Sequence, residues 1–139
     1  MIVRKTKKGR FLLRPASLAE YSRLYVDAFS VAAALSRSEE LFKSAAEFGA
    51  AVVVVVDAWS ETHMPLARKY LRLCEKYGLD CRLSESKPAE IYAVELCEAE
   101  CNGECAVVTR DYDAVLRASR CAVLLFQNGR LWLAERARQ

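Results

Sequence analysis

Five carboxylates stand where a chain of alternating strands and helices would gather them. Asp27 closes the apolar run from Leu24, Asp57 closes the valine run Ala51–Val56, and Glu90 follows Pro88 at the start of a helical pattern. Asp111 and Asp113 follow a further apolar run, Cys105–Thr109, as an Asp-x-Asp pair. Unpaired anions held this close repel unless a cation joins them. Oxygen-only ligands favour Mg²⁺ or Mn²⁺, which keep positions open for water and phosphate. Acids are also favoured at helix N-termini, which accounts for Glu90, Asp111 and Asp113 about as well. Asp27 and Asp57 resist that explanation, because Ser30 and Thr62 or Ser60 are better caps and each Asp ends an apolar strand.

The elements that would position these acids follow from period and punctuation. Ile2–Thr6, a Lys-Lys-Gly turn and Arg10–Arg14 form a hairpin candidate. Leu24–Ala28 reads as a strand and Ser30 caps a helix running to about Phe48, which Gly49 ends. The five consecutive valines before Asp57 suit a strand buried on both faces, near the centre of a sheet. A helix begins at Thr62 and Pro65 and stops at Gly78, a strand covers Leu79–Leu83, and a helix runs from Pro88 to the Asn102-Gly103 break. A strand over Cys105–Thr109, a helix over Tyr112–Ala118, a strand over Cys121–Phe126 and an Asn128-Gly129 hairpin to Leu131–Ala134 complete the order. This β-α-β-α-β-α-β-α-β succession predicts a three-layer α/β/α fold around a mainly parallel five-stranded sheet, with short hairpin elements at both termini. Residues 1–20 are a basic hairpin or arm and 21–139 the body of a single globular domain. Function belongs at the carboxyl ends of the strands, deepest where strand order reverses.

Composition bounds the rest. The chain has 139 residues, 53% hydrophobic and 28% charged, which excludes global disorder and is enough for an independent core. The longest apolar run is far short of the ~20 residues that span a bilayer, so the expectation is a soluble, cytoplasmic protein with no membrane partner. Of the net charge of +3, much is concentrated in Arg4, Lys5, Lys7, Lys8, Arg10 and Arg14, all ahead of the first acid, Glu20. Such a run is a phosphate-contacting footprint or a solvated strand edge. Six cysteines beside scarce Asn and Gln suggest a hyperthermophilic, archaeal-like source in which cytosolic disulfides persist. Cys101 with Cys105, or Cys74 with Cys81, would close a short disulfide loop. A zinc site fits the C-x3-C-x3-C spacing poorly. His63, the only histidine, is too isolated for a catalytic triad, and Trp59 and Trp132 are base-stacking or packing residues.

The segments Leu24-Tyr-Val-Asp27-Ala-Phe-Ser30, Val54–Asp57, Pro88-Ala-Glu90-Ile-Tyr-Ala93 and Val107-Val-Thr-Arg-Asp111-Tyr-Asp113-Ala114 resemble the successive acidic motifs of PIN-like nucleases. That superfamily joins toxin ribonucleases, NYN domains and flap endonucleases, and the resemblance covers about residues 23–126. It implies that Asp27, Glu90, Asp111 and Asp113 hold Mg²⁺ or Mn²⁺. Asp57 joins them as a catalytic acid, as in the NYN and flap-endonuclease branches. It departs from the pattern in placing Ala28-Phe29 where the toxins carry a small hydroxyl residue, with Ser30 displaced, and in reducing the double-acid helix motif to Glu90. A compact metal-dependent ribonuclease is the implied activity, and a catalytically silent RNA-binding or assembly module is the alternative. Arg110 and Arg68, with the basic residues Lys5, Lys7, Lys8 and Arg10, would contact nucleic acid. RNA, single-stranded or structured, is the implied partner, with DNA and a second copy of the chain in a homodimer as further candidates.

Overall fold

The structure, a computed structural model, describes residues 1–48 and 50–137. Eight strands form a single mixed sheet: β1 (Ile2–Thr6), β2 (Gly9–Pro15), β3 (Arg23–Asp27), β4 (Ala51–Asp57), β5 (Asp80–Ser84), β6 (Cys105–Thr109), β7 (Ala122–Gln127) and β8 (Arg130–Arg136). Their spatial order is β1-β2-β8-β7-β6-β3-β4-β5. The five strands β5-β4-β3-β6-β7 are mutually parallel, and β8, β2 and β1 extend them antiparallel. The expected five-stranded parallel sheet is thus one part of a larger mixed one. The terminal hairpins are not appendages, because Leu12 pairs with Glu135 and Leu13 with Ala134, joining them edge to edge.

Five helices cover the two faces. These are the α-helices of the described residues, beside two short 3-10 turns: on one face lie α1 (Ala28–Ala32), α2 (Glu39–Glu47) and α3 (Met64–Tyr77), packed on Leu24, Val26, Val52, Val54 and Val56. On the other lie α4 (Ala89–Glu100) and α5 (Asp113–Arg117), packed on Tyr25, Val53, Val55, Val107, Phe11 and Leu13. Successive residues of a strand point to opposite faces, so the valines of β4 feed both cores in alternation, which is why no polar residue interrupts them. β4 is buried throughout Val52–Asp57 and is paired on both sides, next to β3, the middle strand of the parallel five, and one strand in from the β5 edge.

The single helix expected over Ser30–Phe48 is two. The polar stretch Ser36-Arg37-Ser38 separates them. Ser30 lies inside α1 rather than capping it, because that helix starts at Ala28 directly after Asp27. Gly49, expected to end that helix, lies outside the described residues. Other boundaries agree within about two residues. Gly78 takes a left-handed φ of 64° and stops α3. Asn128 and Gly129 take φ of 52° and 72°, the paired positive values of a type I′ hairpin turn between β7 and β8. No helix among the described residues is long and apolar enough to cross a membrane.

Candidate metal centre

The order of strands reverses between β3 and β6. From β3 the chain winds outward through β4 and β5, then returns across the sheet to β6 and β7. At such a reversal the connecting loops diverge and leave a crevice at the carboxyl ends. Asp27 ends β3 and Thr109 ends β6 on the two sides of that crevice, and the Thr109 hydroxyl donates to Asp27 Oδ2 at 2.7 Å. The opposite oxygen, Asp27 Oδ1, is buried with no hydrogen-bond partner. An ionised carboxylate is costly in that position. Burial therefore raises the Asp27 carboxyl to about 7; the nearby Glu90 and Asp57 charges add to this, against the Thr109 hydrogen bond.

Glu90 projects from the first turn of α4. Burial pushes its carboxyl up to about 7, with the charges of Asp111 and Asp57 acting in the same direction. Oxygens of Glu90, Asp111 and Asp113 lie within 4.8 Å of one another. Asp111 Oδ1 accepts the Asp113 amide at 2.8 Å, a turn that starts α5 and aims both carboxylates the same way. Burial works against charge on Asp111, yet the Asp113 N–H and the Lys8 ammonium outweigh it and hold the carboxyl below its ordinary range.

Asp57 has a different position. Its Oδ1 accepts from the Ala89 amide at 2.8 Å and from the Trp59 indole at 2.9 Å. It thereby satisfies a free N–H at the start of α4 and fixes the turn that presents Glu90. Ser30 sits similarly: its hydroxyl accepts the Arg110 amide at 2.9 Å and ties α1 to the loop after β6. Ser30, expected as a cap, serves this loop instead, and Thr109, which carries no acid, has no role in the sequence reading although it stands inside the segment Val107–Ala114.

Lys8 departs from expectation. It belongs to the β1–β2 turn, and its ammonium lies 3.0 Å from Asp111 Oδ1 and 2.9 Å from Asp113 Oδ2. Both carboxylates raise its pKa, Asp113 most strongly. A cation therefore already bridges the pair, at the place where a metal ion would sit. Oxygens around one Mg²⁺ are about 3 to 4 Å apart, so these three carboxylates fit an ion after small side-chain shifts and departure of Lys8. Donor set, clustering and the orphaned Asp27 oxygen all suit a hard divalent cation.

Beside the acids lies a groove of about 880 Å³ whose lining includes Arg4, Lys7, Lys8, Arg110, Tyr112 and Gln127. Lys5 pairs with Arg10 across the hairpin while Arg4 pairs with buried Phe11, which puts Lys5 and Arg10 on the opposite face. Neither they nor Arg68 of α3 line the groove. Arg4 was visible in the basic run but unassigned; its alternation with Lys5 along β1 was the available signal. Trp132 packs beside the α4–α5 core, Trp59 is 47% exposed with its indole on Asp57, and His63 packs edge-on against Phe29 and Trp59. The cysteines form three pairs at bonding distance, Cys74–Cys81, Cys101–Cys105 and the unforeseen Cys97–Cys121.

No protein-family model and no curated protein matches the sequence. Among solved structures, the chain is similar to the T5 D15 protein co-crystallised with metal ions, with a TM-score of 0.53 and 11% identity. The match covers 80% of this chain and 56% of that one, so the chain spans little more than half of its structural neighbour. At that identity the likeness is one of fold.

Proposed function

We propose that this protein is a metal-dependent nuclease, with RNA as the first substrate to test and Mg²⁺ or Mn²⁺ as the ion. The carrying observation is the clustering of Glu90, Asp111 and Asp113, delivered by α4 and the β6–α5 connection, beside the end of β3 that carries Asp27, at the point where strand order reverses. Packing and helix capping do not require these acids to be together. The fold shared with a protein co-crystallised with metal ions supports the reading.

In this account Glu90, Asp111 and Asp113 are the ligands and Asp27 completes the set with its unpartnered oxygen. Held by these residues, a divalent ion would supply Lewis acidity and lower the pKa of a water beside the phosphodiester. Asp57 positions Glu90 by holding the first turn of α4. Arg4, Lys7 and Arg110 offset the acidic centre and offer charge-assisted hydrogen bonds to backbone phosphates in the adjoining groove. The Lys8 bridge favours the second reading, a silent RNA-binding module, because a neutralised acid pair needs no metal.

Incubation of the purified chain with an RNA panel and a matched DNA panel decides between them. Mn²⁺-dependent cleavage that falls by roughly a thousandfold in Asp111→Asn is expected, since a ligand is lost with little change of shape. Cleavage that is absent from wild type, or equal in wild type and Asp111→Asn, contradicts the proposal.

A further inference from the structure

Four of the six cysteines meet at the opposite edge of the sheet from the acids. Cys97 and Cys101 lie one turn apart at the end of α4, where the Cys101 amide donates to the Cys97 carbonyl at 2.9 Å. Residues four apart on a helix carry their side chains to the same side, with Cβ atoms about 5–6 Å apart. Cys105 opens β6 and Cys121 immediately precedes β7, and the parallel register pairs the next residues, Ala106 with Ala122. Neighbouring strands are about 4.8 Å apart, so Cys105 and Cys121 are adjacent as well. The remaining two sides of the quadrilateral are the paired contacts, with Cα–Cα distances of 6.3 Å for Cys97–Cys121 and 6.0 Å for Cys101–Cys105.

All four side chains enter the same layer, the one between the sheet and α4. They line one cleft of about 370 Å³. Cys97 and Cys105 are buried, while Cys101 and Cys121 are partly exposed and give the cleft an entrance. The turn before Cys121 is held by Glu98, whose carboxylate accepts the amides of Ser119 at 2.7 Å, Arg120 at 2.9 Å and Cys121 at 3.2 Å. Two disulfides alone do not require such convergence. Cys74–Cys81 makes the contrast: it lies in the other core layer with no further cysteine beside it.

We propose that Cys97, Cys101, Cys105 and Cys121 form, when reduced, a tetrathiolate site for one Zn²⁺ ion, so that the same four sulfurs alternate between two disulfides and a metal clasp. The C-x3-C-x3-C spacing reads poorly as a zinc motif because its fourth ligand, Cys121, is supplied only by the register of β6 and β7; sulfurs around tetrahedral zinc are about 3.8 Å apart at a Zn–S length near 2.3 Å, so the four thiols must turn from their disulfide rotamers toward a common centre. Two equivalents of a dithiol reductant break both S–S bonds, leaving four protein thiols and two molecules of oxidised reductant. Coordination of one Zn²⁺ by four thiolates then releases four protons. Either state ties the end of α4 to the starts of β6 and β7, the elements whose far ends carry Glu90 and Asp111. The proposal stands apart from the nuclease reading, since none of its residues is in the acidic centre.

The test is titration of the full chain, reduced with a phosphine, with Co²⁺ followed by Zn²⁺. One Co²⁺ per chain with sulfur-to-cobalt charge-transfer bands and the intense visible absorption of tetrahedral thiolate cobalt, displaced by Zn²⁺, is expected. Cobalt on the carboxylates would give only weak octahedral absorption. Cys101→Ser and Cys121→Ser should each weaken binding by at least about a hundredfold, whereas Cys74→Ser with Cys81→Ser should leave it unchanged. Reduced wild type without the thiolate bands, or with bands that persist in Cys101→Ser and Cys121→Ser, overturns the proposal and leaves the four cysteines as disulfide staples only.

Discussion

Asp27 is a buried carboxyl held against its charge by its surroundings. Its carboxyl keeps a proton to about pH 7 in the folded chain but only to about 3.9 when unfolded. Between those values the folded state binds more protons, so the metal-free protein loses stability as pH rises from about 4 to 7. Asp27→Asn removes the charge, and thermal melts in chelator should show a flatter pH profile and a gain of about 1–3 kcal/mol at pH 8. A profile unchanged from wild type would mean that Asp27 is not charged against its surroundings. Lys8 acts in the opposite sense, as an internal cation competing for Asp111 and Asp113. Both ion pairs are partly exposed and therefore weak, so Lys8→Gln should tighten Mn²⁺ binding by roughly three- to tenfold in calorimetry. Weaker binding would show that Lys8 supports the site. The acids themselves could be read from sequence because each follows a strand end or helix start. The Lys8 contact could not, because it joins residues 103 apart through a turn whose reach depends on how β2 meets β8.

At the scale of elements, the strongest signals were runs whose side chains admit one environment. Five valines admit only a strand buried on both faces, and Asn128-Gly129 admits positive φ at both turn positions. The division of the expected long helix into α1 and α2 was less legible, since Leu35, Leu41 and Phe42 keep an apolar side through the break and only Ser36-Arg37-Ser38 marks it. The N-terminal hairpin was hidden differently. Its charge points to solvent, whereas Phe11 and Leu13 of β2 are fully buried and Phe11 packs against Tyr112 with ring centres 4.6 Å apart and planes tilted by 44°. Phe11→Ala should therefore cost about 3–4 kcal/mol in denaturant unfolding, as for a core aromatic. A cost under about 1 kcal/mol would show that the hairpin is an arm with no part in the core.

For the whole molecule, topology places acids and bases side by side. Reversal of strand order opens the crevice that holds the acidic centre, and the β8-β2-β1 extension brings basic residues to its rim. Cationic side chains that neutralise single-stranded phosphates release counterions, giving about 0.7 of slope in log K against log salt per contact. Replacing Arg4, Lys7 and Arg110 together by Ala should therefore flatten the slope by about 2, whereas replacing Lys5 and Arg10 should leave it nearly unchanged. Equal effects from the two sets would place binding on the net field rather than the groove. The central claim, that the gathered carboxylates are a divalent-metal centre, is tested most directly by a crystal structure of the wild-type chain soaked in Mn²⁺ and read by anomalous scattering. The account predicts an anomalous peak among Glu90, Asp111 and Asp113, within reach of Asp27, with the Lys8 ammonium withdrawn. Millimolar Mn²⁺ that leaves no peak there and Lys8 still bridging Asp111 and Asp113 would contradict it.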